Sequence, residues 1–270
     1  MEINVDLCTH ILTNFISEET KKVGFHNVVV GLSGGIDSAL STKLASIALG
    51  CGSVYAYILP YKLSSKENID DAITFAKQMG INYEVLDITP MADAYLTLNS
   101  DLNNLRLGNV LARLRMITLF DKSVQHKGLV LGTSNKTELL LGYGTWYGDM
   151  ASSINPIGDL YKTQVWQLGE YLKIPLNILE KIPSADLWIG QSDEKDIGYT
   201  YKEIDSLLYY MVDQRMNFDK LIKLGFKEDM IEKIKEMIRK SQFKRQLPVI
   251  AKISLRTIDK DFRYCRDWGY

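Results

Sequence analysis

Four short, mostly apolar runs, each followed by a stretch of helical spacing, fill the first half of the 270-residue chain. No other feature restricts the fold as much. The runs are Asn27-Val-Val-Val30, residues 53–59 stopped by Pro60, residues 83–88, and residues 128–132. Between them lie a helix-like segment over 36–49 and another over 66–78, where Ile69, Ala72, Ile73 and Ala76 keep register and Gly80 marks the stop. A long helical region carrying Arg113 and Arg115 comes third, and a helix after Thr133-Ser-Asn135 comes fourth. Strands alternating with helices predict an α/β fold with a doubly wound parallel sheet. Such sheets bind ligands beyond the carboxyl ends of their strands. The segments 31–38 and 132–138 both fall at strand ends, so two separate patterns point to one edge.

The flanks are mostly helical. Residues 5–22 read as an amphipathic helix with Leu7, Ile11, Leu12 and Phe15 on one face. A glycine-rich, aromatic and polar loop is expected over 142–156, a helix from beyond Gly158 to about Lys173, and a second irregular stretch over 182–198. The lysine-rich stretch 219–245 carries Leu221, Ile222, Ile231, Ile234 and Ile238 at helical spacing, which predicts amphipathic helices with solvated faces. The economical organisation over 1–270 is one domain: an N-terminal helix (1–24), a nucleotide-binding α/β core (25–175) and a mostly helical C-terminal part (176–270).

Composition excludes several classes. A formal net charge of −1 provides no general attraction to nucleic acid or an anionic membrane. Cys8, Cys51 and Cys265 form no closely spaced pair, which argues against a disulfide framework or a zinc site. No signal peptide is visible, and no apolar stretch approaches the roughly 20 residues that span a bilayer. A soluble cytoplasmic protein with neither nucleic-acid nor membrane partners is expected.

The segment Gly31-Leu-Ser-Gly-Gly-Ile-Asp-Ser38 joins a strand to a helix, an arrangement that turns backbone N–H groups toward an anion. Ser33 and Ser38 add small donors, and Gly34 and Gly35 allow close approach. Asp37 would repel a phosphate unless a divalent cation stood between them, and hard oxygen ligands suit Mg²⁺. A Walker-type loop is excluded because Asp37 stands where its lysine belongs. Gly31-Leu-Ser33-Gly-Gly35 also fits a hydrolase nucleophile elbow, but that triad needs a late histidine. The histidines are His10, His26 and His126. A purely structural turn is the remaining alternative.

Ser33-Gly-Gly-Ile-Asp-Ser38 resembles the pyrophosphate loop of the N-type ATP pyrophosphatases, a group that includes several synthetases and tRNA-modifying enzymes. Further segments narrow the resemblance: Gly108-Asn-Val-Leu-Ala-Arg113, Leu131-Gly-Thr-Ser-Asn-Lys-Thr-Glu138, Tyr147-Gly-Asp149, Asn155-Pro-Ile-Gly-Asp-Leu-Tyr-Lys162, Pro183-Ser-Ala-Asp-Leu187, Gln191-Ser-Asp-Glu194 and Lys244-Arg-Gln-Leu-Pro248. In this order they are similar to the NAD synthetases, in the short form that uses ammonia. The resemblance implies that deamido-NAD is adenylated by ATP with release of pyrophosphate, and that ammonia then displaces AMP. It further implies a homodimer, free ammonia as nitrogen source and no glutaminase domain in the chain.

Residue roles follow from the same resemblance. Gly31, Leu32, Ser33, Gly34, Gly35, Ile36, Asp37 and Ser38 would hold ATP together with Thr133, Lys162 and Ser184. Asp37 and Glu138 would hold Mg²⁺, and Asp37 and Lys162 would act in catalysis. Deamido-NAD would meet Arg113, Trp146, Asp149, Ser153, Phe243 and Lys244. Three of these depart from the family pattern: Trp146 replaces a lysine, Ser153 an aspartate and Phe243 a histidine. Structural alternatives stand beside the roles, namely helix-start chemistry for Glu138, an exposed helix lysine for Lys162 and a surface ion pair for Arg113.

Overall fold

The computed structural model describes residues 1–98, 101–184 and 193–257. Four parallel strands, β1 (Asn27–Gly31), β2 (Val54–Ile58), β3 (Asn82–Val85) and β4 (Gly128–Leu131), form a sheet of order β3-β2-β1-β4. Val28, Val29 and Val30 are all fully buried, as a central strand covered on both faces requires. Val28 and Val30 join one core with Val54, Ala56 and Ile58, whereas Val29 joins another with Tyr57. The alternation is the two-residue period of a strand.

The first core is closed by helices α1 (Val5–Lys22), α2 (Ile36–Leu49) and α3 (Lys66–Met79), and the second by α4 (Thr89–Leu98) and α5 (Asn104–His126). The sheet is therefore doubly wound, as the sequence predicts. Helix α1 corrects one expectation. Its inward face is Leu12, Ile16 and Thr20, while Leu7, Ile11 and Phe15 are exposed. The apolar residues of α1 form two stripes, and only one packs into the core, against α2 and α7.

After β4 come α6 (Lys136–Leu141), an irregular loop, α7 (Lys162–Tyr171) and α8 (Leu176–Leu179). A third core gathers α6 with α9 (Asp193–Ile197), α10 (Tyr201–Leu208), α11 (Phe218–Lys223) and α12 (Glu228–Lys240). Helix α9 falls inside the stretch expected to be irregular, of which residues 185–192 lie outside the described residues. Gly169 lets α7 press against α2, since a Cβ there would stand 2.8 Å from Ile36 Cδ1. That contact sets the first residue of α7, Lys162, over the start of α2.

Candidate active site

A cleft of about 790 Å³ opens beyond the carboxyl ends of β1 and β4, where the strand order reverses. Its floor is the 31–38 loop. Ser38 Oγ donates to the Gly35 carbonyl at 2.9 Å and accepts from the Ser33 N–H at 3.2 Å, which closes the turn. Gly34, at φ +83°, tolerates no side chain because a Cβ would stand 2.2 Å from the Asn68 carbonyl oxygen on α3. Leu32 and Ile36 are buried, so they can offer a ligand little beyond backbone N–H groups. The hydrolase alternative fails on geometry. Ser33 Oγ lies 3.1 Å from Ser38 Oγ, and His126 Nε2 is hydrogen-bonded to Tyr57 Oη at 2.7 Å.

Asp37, in the first turn of α2, is held from two sides. Lys162 Nζ makes an ion pair with Oδ2, and Asn135 Nδ2 donates to Oδ1 at 2.9 Å. Lys162 is 2% exposed, which rules out the surface-lysine alternative. Its ammonium lies 5.5 Å from the Tyr201 ring centre and 6.0 Å from that of Trp166. Burial works against its charge, but Asp37 and Glu138 outweigh that and raise its pKa above the ordinary lysine value. Glu138 has the helix-start role and also faces the cleft. It forms a capping box with Asn135 at the start of α6, and it lines the cleft beside Asp37. Burial and then the Asp37 charge push its carboxyl well above the usual range.

Two residues without an assigned role support this centre. Asp205 on α10 is fully buried, accepting from Thr137 Oγ1 at 2.5 Å and from the Thr163 N–H at 2.7 Å. Thr137 Oγ1 in turn accepts from the Lys162 N–H at 3.0 Å. A carboxylate at a helix N-terminus satisfies orphan donors and favours the dipole, so Asp205 fixes where α7 begins. The visible signal was an acid four residues after Tyr201, on the buried side of α10. Asp193, also buried, accepts from Tyr201 Oη at 3.1 Å behind Lys162.

Every residue assigned to ATP lines this one cleft except Gly34, whose neighbours do. Thr133 and Ser184 are among them. The dinucleotide set is more dispersed. Asp149 and Lys244 line the cleft, but Asp149 Oδ1 accepts from the Thr145 N–H at 2.7 Å and Lys244 Nζ donates to the Gly142 and Gly144 carbonyls at 2.8 Å each. Both therefore brace the loop after α6. Trp146 stacks on Tyr147 and meets Phe243 edge to face, with centroids 5.2 Å apart. Ser153 extends the sheet edge, with its N–H donated to the Val130 carbonyl at 2.8 Å. Arg113 is exposed, in a shallow depression with Tyr95, Leu102 and Arg106, and it donates to the Trp146 carbonyl at 3.1 Å. Its neighbour Arg115 is the one that faces the cleft, donating from Nε to the Leu59 carbonyl at 2.9 Å.

The residues fit a divalent cation. Asp37 and Glu138, both half-buried, line the same cleft, and each Coulombically disfavours the other's charge until a cation stands between them. Mg²⁺ would suit such a pair because it takes one or two carboxylates and completes its shell with phosphate oxygens and water.

Comparison with known proteins agrees with the geometry. A family model described as NAD synthase matches residues 8–248. The NH(3)-dependent NAD(+) synthetase of Trichlorobacter lovleyi is 55% identical over 269 residues, covering 100% of this chain and 98% of the relative. That of Chlorobaculum tepidum is 50% identical, covering 99% and 97%. Among solved structures, the NMN synthetase of Francisella tularensis superposes with a TM-score of 0.84 at 34% identity, over 93% of this chain and 100% of its own. The NH3-dependent NAD synthetase of Campylobacter jejuni gives 0.80 at 35% identity, over 93% and 100%. With relatives this similar along its whole length and a glycine-rich loop set at the reversal of its sheet, the chain belongs to the NAD synthase family.

Proposed function

We propose that the chain amidates deamido-NAD to NAD with ATP and ammonia, through an acyl adenylate, releasing AMP and pyrophosphate. The observation that carries this is the buried Lys162 on Asp37 at the floor of the cleft, in a chain 55% identical to an NH(3)-dependent NAD(+) synthetase. A carboxylate is a poor acyl donor, and adenylation gives it a good leaving group. In the first step a carboxylate oxygen bonds to the α-phosphorus and the bond to the β-phosphate bridge breaks. The 31–38 loop supplies N–H groups and hydroxyls to the phosphates, and Lys162 supplies a fixed positive charge beside the reacting α-phosphate. Asp37 and Glu138 would hold Mg²⁺, which would neutralise phosphate charge. Thr133 and Ser184 would contact ATP.

On the other side, Asp149 and Lys244 would order the pocket that receives the nicotinate end. Arg113, with Trp146 and Phe243, would meet the rest of the dinucleotide, since a guanidinium pairs with a pyrophosphate through two parallel donors. The exposed Leu105, Ile117 and Val124 of α5 give that surface an apolar character suited to a second copy of the chain, and a homodimer belongs to this reading. Among the described residues no helix is long and apolar enough to cross a membrane. A cytoplasmic setting belongs to the same reading.

The test is product identity. The protein is incubated with ATP, Mg²⁺, ammonium and deamido-NAD, and AMP and NAD are measured together. Equal amounts of both are expected, and AMP release that ignores deamido-NAD would sink the proposal. Nicotinate mononucleotide is run in parallel because of the likeness to an NMN synthetase, and it is expected to be the poorer substrate.

A further inference from the structure

The positively charged side chains lining the cleft, among the described residues, are Arg115, Lys162, Lys181 and Lys244. Three are committed away from the β- and γ-phosphates: Arg115 to the Leu59 carbonyl, Lys162 to Asp37, and Lys244 to carbonyls on the dinucleotide side. The 31–38 loop contains no cation of its own. Lys181 stands at its glycine end. Nζ donates to Asn68 Oδ1 at 2.9 Å, lies 3.5 Å from the Gly34 carbonyl and pairs with Asp71. Asp71 also accepts from Asn177 Nδ2 at 2.6 Å, so it has a partner of its own once the lysine departs. The tight seat of Gly34 on Asn68 keeps α3 and the loop together, which fixes the distance Lys181 must cross.

We propose that Lys181 leaves Asp71 for the terminal phosphates of ATP and then accompanies the pyrophosphate leaving group. This rests on reading the 31–38 loop as the ATP site. When the carboxylate oxygen bonds to the α-phosphorus, the electron pair of the breaking P–O bond goes to the bridging oxygen of pyrophosphate. The ammonium of Lys181 meets that growing charge without transferring a proton, and a flexible lysine stem suits a cation that must follow a departing anion. Lys162, locked at the start of α7, serves the α-phosphate side instead.

Calorimetry of ATP and AMP binding in Mg²⁺, without dinucleotide, tests the assignment. In K181Q the Kd for ATP is expected to rise tenfold or more while that for AMP stays within twofold. In D71N the Kd for ATP is expected to hold or tighten, because the competing carboxylate is gone. If Lys181 only ties α3 to the segment after α8, K181Q and D71N will behave alike, which overturns the proposal. So would equal changes for ATP and AMP in K181Q, or none in either. Wild type that binds no ATP would instead remove the underlying reading of the loop, so the two failures are distinct. If K181Q unfolds, K181R is used, and a Kd for ATP within threefold of wild type is required.

Discussion

The two sides of the cleft are built differently. On the side proposed for ATP, Asp37, Asn135, Lys162 and Asp205 are joined by direct hydrogen bonds and ion pairs, or through Thr137, and most of them are buried. On the dinucleotide side Asp149 and Lys244 spend their polar atoms on backbone groups, and Arg113, Trp146 and Phe243 meet at the surface. Phosphoryl chemistry needs charges held in place before the substrate arrives, because reorganising them during reaction raises the barrier. Binding a long dinucleotide needs area more than rigidity, and a surface assembled from two copies could supply it. The three departures from the family pattern all fall on this second, looser side.

The contrast breaks most sharply if the ATP side tolerates change. D37N keeps the shape but removes the charge that pairs with Lys162, and it is expected to lower AMP formation by about a thousandfold. Thermal unfolding of the same variant checks that the fold survives, and unchanged turnover would refute the role. Next in size is Asp205→Ala. It leaves Thr137 and the Thr163 N–H without their buried acceptor, at a cost of about 1–3 kcal/mol in denaturant unfolding. Its activity should fall through kcat more than through KM, because the displaced group is Lys162.

The pH response sharpens the metal assignment. Burial and Asp37 raise the Glu138 pKa in the folded state above its unfolded value. A raised carboxyl contributes stability that is complete below about pH 4.3 and is lost as pH rises through the folded value. Metal-free protein is thus penalised at neutral pH by its own acid pair, and Mg²⁺ bound as proposed would relieve it. The rise in unfolding midpoint on adding Mg²⁺ should therefore grow as pH is raised from the acid side to neutrality. In E138Q the rise should be smaller and nearly flat with pH, and an unaltered wild-type-like response in that variant would count against Glu138 as a ligand.

How much of this was legible depended on the range of each interaction. The 31–38 loop could be read because its chemistry lies in consecutive residues, and α2 starts and ends where the sequence predicts. Orientation could not be read. Helix α1 carries apolar stripes on two faces, and periodicity alone does not say that Ile16 rather than Phe15 enters the core. Arg113 and Arg115 sit two positions apart, so a helix points them to different sides, and only the packing of α5 decides which one faces the cleft. Asp205 gave only a weak signal, an acid on the apolar side of α10, for a third reason. It acts on Thr137 and Thr163, far away in the chain, and its place on α10 does not say which groups it serves.

The smallest expected effect concerns the two aromatic departures. Trp146 and Phe243 come from segments far apart in the chain and meet edge to face, so each fills the space beside the other. If they replaced a charged pair as a unit, their contributions are coupled. A double-mutant cycle with Trp146→Ala and Phe243→Ala should give a coupling of about 0.5–1.5 kcal/mol in KM for deamido-NAD. KM for ATP should stay unchanged in all three variants, because neither ring lines the ATP side of the cleft. Additive effects would mean that the two rings pack independently. Equal effects on both substrates would mean that they hold the loop after α6 rather than the dinucleotide, and the division of the cleft into a rigid and an adaptable side would then fail at its looser end.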